Sequence, residues 1–298
     1  MDVTIPYFGQ VLALLVAVIW AFAVILFKKS GETVHPIALT LFKNLLALIL
    51  FLPTMWLFKQ PLVRQIPGNE YLLFLISGVI GMGIADMLFF KSLNLIGAGL
   101  SAIVTCIYSP FIIGLSVLWL GERLSFLQII GVVLIVSAVS LTIRIKLMGK
   151  ISRRDLLWGI LWGVLSTAAT AVGIVMIKPL LGHTPILWAT EIRLFSGFIT
   201  LVLITLFHPA RRRIITSLFS SRSFGYTVAG SFVGTYLALT IWLAGMKYTQ
   251  ASIAAALNQT SSIFVFIFAA LILKEPITLR RTVAIILAVS GAFLVFLG

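Results

Sequence analysis

Apolar stretches of about twenty residues, separated by short polar breaks, make up nearly the whole chain. A helix needs about 20 such residues to cross a ~30 Å hydrocarbon layer. On that rule the pattern predicts spans at 8–27, 36–58, 71–91, 99–120 and 125–144, then at 156–177, 185–207, 224–246, 250–273 and 279–297. The period-two alternation of a membrane barrel is absent. Helices are the expected solution, because lipid cannot satisfy free backbone groups. The longest polar breaks, near 144–155 and 208–223, are too short to hold a soluble domain.

The ten spans fall into two fives related by an offset of 153 residues. Ser92-Leu93-Asn94-Leu95-Ile96-Gly97-Ala98 aligns with Gly245-Met246-Lys247-Tyr248-Thr249-Gln250-Ala251. The register then holds without a gap, Ala102 meeting Ala255, Glu122 meeting Glu275, Ser137 meeting Ser290 and Leu141 meeting Leu294. An odd number of spans per half starts the second half on the opposite side of the membrane. The expected fold is therefore an all-α integral membrane protein of ten transmembrane helices, in two inverted five-helix repeats over residues 1–147 and 152–298. Inverted repeats commonly surround a transport site with two alternating access states.

Composition agrees: 61% of residues are hydrophobic and only 10% charged, which excludes an ordinary soluble domain. The net charge of +14 would suggest nucleic acid in a soluble protein. Here the basic residues divide five to fifteen between the two sides of the predicted topology. Such a bias marks the cytoplasmic side, so the charge is read as orientation and no nucleic-acid partner is expected. Both termini are placed outside the cytoplasm, and Lys28-Lys29 directly after the first span agrees. That span has no basic leader or cleavage site and is read as retained, not as a signal peptide. Cys106 is the single cysteine, so no internal disulfide can form. His35, His183 and His208 lie at separate loop edges without ligand spacing, so no metal is expected.

From Ala98 a small-residue-rich stretch leads through Ser109-Pro110 to Leu120-Gly121-Glu122-Arg123-Leu124; Ala251 onward repeats it, ending Leu273-Lys274-Glu275-Pro276. Phe27-Lys28 and Pro36 in the first half correspond to Lys178 and Pro185 in the second. The whole chain resembles the EamA-type families of the drug/metabolite transporter superfamily. It departs from a strict repeat at Pro110, whose counterpart is Ile263. The basic residue usual in the second helix of such a repeat is Lys43 in one half and Arg193 in the other. The resemblance implies export or exchange of small metabolites, amino acids or amphipathic drugs by alternating access, from a multi-pass position in a bacterial inner membrane.

Lys43, Asp86, Glu191 and Arg193 fall inside spans. A charge at mid-bilayer is unfavourable by at least ~2.5–3.5 kcal/mol, so these should face the bundle interior and be paired. Lys43 and Asp86 lie about 10 Å and 8 Å from the same membrane surface at 1.5 Å per residue, so they share a layer. Glu191 and Arg193 are two residues apart and do not share a helix face. The repeat partner of Asp86 is Leu239, which leaves Arg193 without an obvious fixed partner; a substrate carboxylate could serve. Two positive and two negative groups would make a neutral lining, suited to a zwitterion. Static braces between helices are the alternative reading of all four.

Thr105, Tyr108 and Ser109 in the fourth span, and Asn258, Gln259 and Ser262 in the ninth, put polar groups near mid-membrane at equivalent depths. Buried amides need partners, and a central cavity would supply them. Trp20, Tyr236 and Trp242 offer flat walls beside it. Glycines four apart, Gly159 with Gly163 and Gly230 with Gly234, suggest close helix packing. Glu122 and Glu275 are expected to stabilise the N-termini of the fifth and tenth spans, with Ser125 and Thr278 as caps.

The function expected is that of a secondary transporter, with the bilayer and a small molecule as partners and no cofactor. Asp86, the only intramembrane aspartate, is the candidate for proton coupling. A nucleotide-sugar or lipid-linked-sugar transporter is the alternative, though only Lys43 and Arg193 are available for a phosphate. No zinc-protease, nucleophile-elbow or nucleotide-loop motif points to an enzyme or to direct ATP use.

Overall fold

The computed structural model describes residues 7–120, 125–143, 151–219, 223–249, 254, 257–258 and 260–297. All regular secondary structure among the described residues is helical. Helix α1 runs over Phe8–Ser30 and α2 over Pro36–Leu57. At the start of α2, extended His35 accepts the Ile37 amide through Nδ1 at 3.3 Å. Pro36 follows at a position whose N–H would go unbonded anyway.

The next rod, Gly68–Thr105, is 38 residues long. It comprises α3 (Gly68–Gly78), a π-helical segment π1 (Val79–Ala85) and α4 (Asp86–Thr105). As one straight helix it would reach about 57 Å, nearly twice the hydrocarbon thickness. Gly97 interrupts it with φ 80 and ψ 174, a conformation open in practice to glycine alone. This is the break that separates the predicted spans 71–91 and 99–120.

The prediction of one helix over 99–120 needs correction. Residues Cys106 and Ile107 form a turn closed by Cys106 N–H to Ile103 O at 3.2 Å and Ile107 N–H to Val104 O at 3.2 Å. Helix α5 then begins at Tyr108 and ends at Leu120. Pro110 could not donate to the carbonyl four residues back, so the chain breaks and restarts with the proline in the first turn.

Helix α6 (Phe126–Ile143) starts from a reciprocal cap in which Ser125 Oγ accepts the Gln128 amide at 3.1 Å and Gln128 Oε1 accepts the Ser125 amide at 3.0 Å. There follow α7 (Arg153–Val175), the short α8 (Lys178–Leu181), α9 (Ile186–Phe207) and α10 (Arg211–Phe219). The last of these occupies what reads in sequence as a polar break. It holds there because Ile214 and Leu218, one turn apart, are buried while Arg211, Arg212 and Arg213 are exposed. The chain continues as α11 (Phe224–Gly230), a second π segment π2 (Ser231–Ala238), α12 (Leu239–Tyr248), α13 (Ser261–Ile272) and α14 (Leu279–Leu297).

Among the described residues six helices, counting each π-containing rod as continuous, are long and apolar enough to cross a membrane; Tyr108–Trp119, Phe126–Ala138 and Ser261–Ile272 are shorter apolar helices. The outward faces are apolar too, with Trp56 82% and Phe207 84% exposed. That pattern suits lipid and not water. Inside, helices meet through small residues, as the glycine spacing suggested. A Cβ on Gly163 of α7 would lie 2.7 Å from Val104 of α4, and one on Gly234 of π2 would lie 2.7 Å from the Phe27 ring of α1. The described parts form a multi-pass helical membrane protein.

Glu275 corrects another expectation. Its carboxylate accepts the amides of Ala98 at 2.8 Å and Gly99 at 3.1 Å, with Arg281 Nη1 3.5 Å away. It stabilises a helix start, but the one that Gly97 creates in the first half, not that of α14. The kink exposes fresh N–H groups, and a carboxylate is the natural acceptor. Thr278 does cap α14, accepting the Arg281 amide at 3.3 Å. Glu122 lies outside the described residues.

Candidate functional site

A cavity of about 170 Å³ opens where the two halves of the chain meet. Val16 and Trp20 of α1, Lys43 of α2, and Ser166, Thr167 and Thr170 of α7 contribute to its wall. The remaining lining is paired by the repeat offset: Gly81 with Gly234, Met82 with Thr235, Asp86 with Leu239, Phe89 with Trp242, Thr105 with Asn258, and Tyr108 with Ser261. Ala238 completes it. Both π segments take part, and each widens a helix by one residue per turn just where it borders the cavity.

The charged pair expected from depth is made. Lys43 Nζ donates to Asp86 Oδ2 at 2.6 Å and to Asn44 Oδ1 at 2.9 Å, and Asn44 in turn donates to the Met82 carbonyl of π1 at 3.0 Å. Both side chains belong to the cavity wall, and at 5% and 21% exposed the aspartate is the more open of the two. Removing either partner would leave a buried charge uncompensated.

Arg193 of α9 takes a different position. It is buried, and it does not line the cavity. Its Nε donates to Ser77 Oγ at 2.9 Å, and Ser77 Oγ donates to the Gly173 carbonyl of α7 at 2.5 Å. Both terminal guanidinium nitrogens are buried without a hydrogen-bond partner. Glu191 also lies off the cavity wall, half-buried, with Oε2 unpartnered.

Of the side chains singled out from sequence, Trp20, Lys43, Asp86, Thr105, Tyr108, Trp242 and Asn258 line the cavity. Others do not. Ser109 is buried with an unpartnered hydroxyl. Ser262 donates to the Ala102 carbonyl at 3.0 Å, tying α13 to α4. Tyr236 shares a 2.6 Å hydroxyl contact with Thr54 and packs edge-on against Phe51, pointing toward α2. Each of the three faces away because a helix that borders a cavity offers it only about a third of its circumference. Gln259 lies outside the described residues. The hydroxyl row Ser166, Thr167 and Thr170 was missed. Its signal was a cluster at i, i+1 and i+4 in an otherwise apolar helix.

Where the first long helix of each half ends, corresponding lysines hold corresponding segments of chain. Lys28 Nζ donates to the Asn94 carbonyl at 3.3 Å, and Lys178 Nζ donates to the carbonyls of Met246 and Thr249, the latter at 2.8 Å. Burial of Lys178 pushes its pKa below the usual lysine value. Among the described residues no cluster of His, Cys, Asp and Glu could hold a metal ion.

The EamA-like transporter family matches this chain twice, over residues 7–144 and 157–297. An uncharacterized transporter of Archaeoglobus fulgidus is 24% identical over 291 residues, covering 96% of this chain and 97% of the relative. Another uncharacterized transporter, from Methanothermobacter thermautotrophicus, is 23% identical over 234 residues, covering 78% of this chain and 66% of the relative. A solved crystal structure superposes with a TM-score of 0.73 at 16% identity, covering 97% of this chain and 96% of that one, which shows a shared fold. With its two matched halves meeting around a cavity of mixed polar and apolar lining, this chain belongs to the EamA-like transporter family, within the drug/metabolite transporter superfamily.

Proposed function

We propose that the protein is a secondary transporter that exports or exchanges small organic metabolites by alternating access. In this reading ten membrane helices form two inverted five-helix halves, over residues 1–147 and 152–298, and rock around the cavity. The observation that carries it is the pairing of the cavity wall: six positions in the first half meet the cavity at the same offset as six in the second. A site built from equivalent positions of inverted halves can be presented to either side by equivalent motions. The family's twofold match to the chain supports the same division. The lysine clasps at Lys28 and Lys178 are matching contacts within each half, in keeping with two halves built to one plan. The charge bias supports a cytoplasmic-membrane location with both termini outside.

Asp86 is the group proposed to couple transport to protons, since it faces the cavity while bonded to a buried lysine. Protonation would release Lys43 and loosen the tie between α2 and α4. The test is uptake into proteoliposomes of labelled amino acids, organic acids, cationic drugs and nucleotide sugars, with and without an imposed pH gradient. Saturable uptake of a small metabolite is expected, with the gradient response lost in Asp86→Asn. Uptake by Asp86→Asn that still follows the gradient would remove the coupling role. Movement of nucleotide sugars alone would replace the substrate reading.

A further inference from the structure

Lys43 and Arg193 hold corresponding places in the two halves, and only Lys43 has an acid. Asp86 bonds Lys43 at 2.6 Å, whereas the position 153 residues after Asp86 is Leu239. Arg193 is 1% exposed, and among the described residues it forms no ion pair. Glu191 sits two residues away on another face of α9 and likewise forms no ion pair among the described residues. An unpaired guanidinium at this depth is strongly unfavourable, so a residue kept only for packing would be better as methionine.

The guanidinium is close to the cavity. Its Nη2 would lie 3.2 Å from a Cβ on Gly81, which lines the wall, and Tyr108 and Asp86 are within electrostatic range. The Tyr108 hydroxyl is buried and, like the guanidinium ends, has no partner. Asp86 is already neutralised by Lys43, so the lining offers no free carboxylate to receive an ammonium group. The uncompensated charge beside the cavity is positive.

We infer that the transported substrate is an organic anion with a carboxylate on an apolar body, received by Arg193 and the Tyr108 hydroxyl, and that cations of the same skeleton are disfavoured. This rests on the transporter reading and narrows its substrate class. A guanidinium presents paired N–H donors that match a carboxylate, and Tyr108 adds a third donor. The guanidinium lies just behind Gly81, a place in the wall with no side chain to bar a substrate carboxylate from it. Trp20, Phe89 and Trp242 face the substrate's apolar body.

Three ligands of one skeleton test this: 3-phenylpropionate, phenylalanine and 3-phenylpropylamine, compared by thermal shift on the purified protein and by counterflow in proteoliposomes. The carboxylate should bind about tenfold or more tightly than the amine, the scale of a charge-assisted hydrogen bond. Arg193→Met should lose that margin without a lower Tm, and Arg193→Lys should recover part of it. A structural brace would behave the opposite way, with Tm falling and the preference intact. Equal response to all three ligands, preference for the amine, response to none, or a preference that survives Arg193→Met overturns the inference. Binding of the carboxylate without movement of any ligand would sink the transporter reading and leave the site. Movement of the amine but not the carboxylate would do the reverse.

Discussion

Lys43 and Arg193 are both buried cations on the second long helix of their half, yet the first is neutralised and the second is not. The difference comes from a single pair of equivalent positions, Asp86 and Leu239, which both line the cavity. Elsewhere the cavity wall draws on equivalent positions of the two halves, with glycine at both Gly81 and Gly234 and an aromatic ring at both Phe89 and Trp242. Two halves can therefore share a backbone design while one carries a closed ion pair and the other an open charge. Departures from symmetry are where substrate chemistry can be written.

The largest effect should come from erasing the contrast in the first half. Asp86→Leu copies the second half's arrangement and leaves Lys43, 5% exposed, without its carboxylate. Thermal unfolding in detergent should show a loss of about 3 kcal/mol, the lower end for breaking a buried pair because the aspartate is partly exposed. Asp86→Leu with Lys43→Met should recover most of it. Failure of the double variant to recover would mean that the pair is not what stabilises this layer.

A smaller effect is expected from erasing the contrast in the second half. Leu239→Asp gives Arg193 a carboxylate in the place where Lys43 has one. The preference for 3-phenylpropionate over the amine should fall by about tenfold, close to 1.4 kcal/mol. Counterflow competition measures it, and an unchanged ratio would show that Leu239 does not face Arg193.

The smallest contrast lies where the same helices begin. His35 caps α2 with its ring, whereas α9 starts from Pro185 without a side-chain cap. Burial, and then the nearby His208, Lys91 and Arg213, push the His35 pKa below the ordinary 6.5. The unfolded chain therefore takes up the proton first, so this contribution is complete above about pH 6.5 and declines as pH falls through that value. A Tm measured from pH 8 to pH 5 should drop on the acid side, and His35→Asn, which keeps a cap, should flatten the drop.

The helical membrane character, the twofold repeat and the Lys43–Asp86 layer were legible in sequence for simple reasons. Hydrophobic length sets a span, the 153-residue offset sets the repeat, and depth along a helix follows from rise per residue. Less legible were the turn at Cys106–Ile107, which Pro110 hints at without placing, and α10, whose apolar stripe is only two buried residues wide. The site divided in the same way. Thr105, Tyr108 and Asn258 stood out because polar groups are rare at that depth, while Gly81 and Gly234 carry no chemistry that would announce a cavity.

What the sequence determined by itself is an all-helical membrane protein with a repeated plan and a small set of intramembrane charges, because lipid imposes length, polarity and periodicity locally on every segment. Tertiary structure decided which face each helix turns inward. Through that it decided that Tyr236 packs on Phe51, that Glu275 seats on the helix start opened by Gly97, and that Arg193 ends bonded to Ser77 with its charge unanswered. Rotation about a helix axis costs a single segment almost nothing. It is settled only when small residues such as Gly163 and Gly234 lock neighbouring helices together.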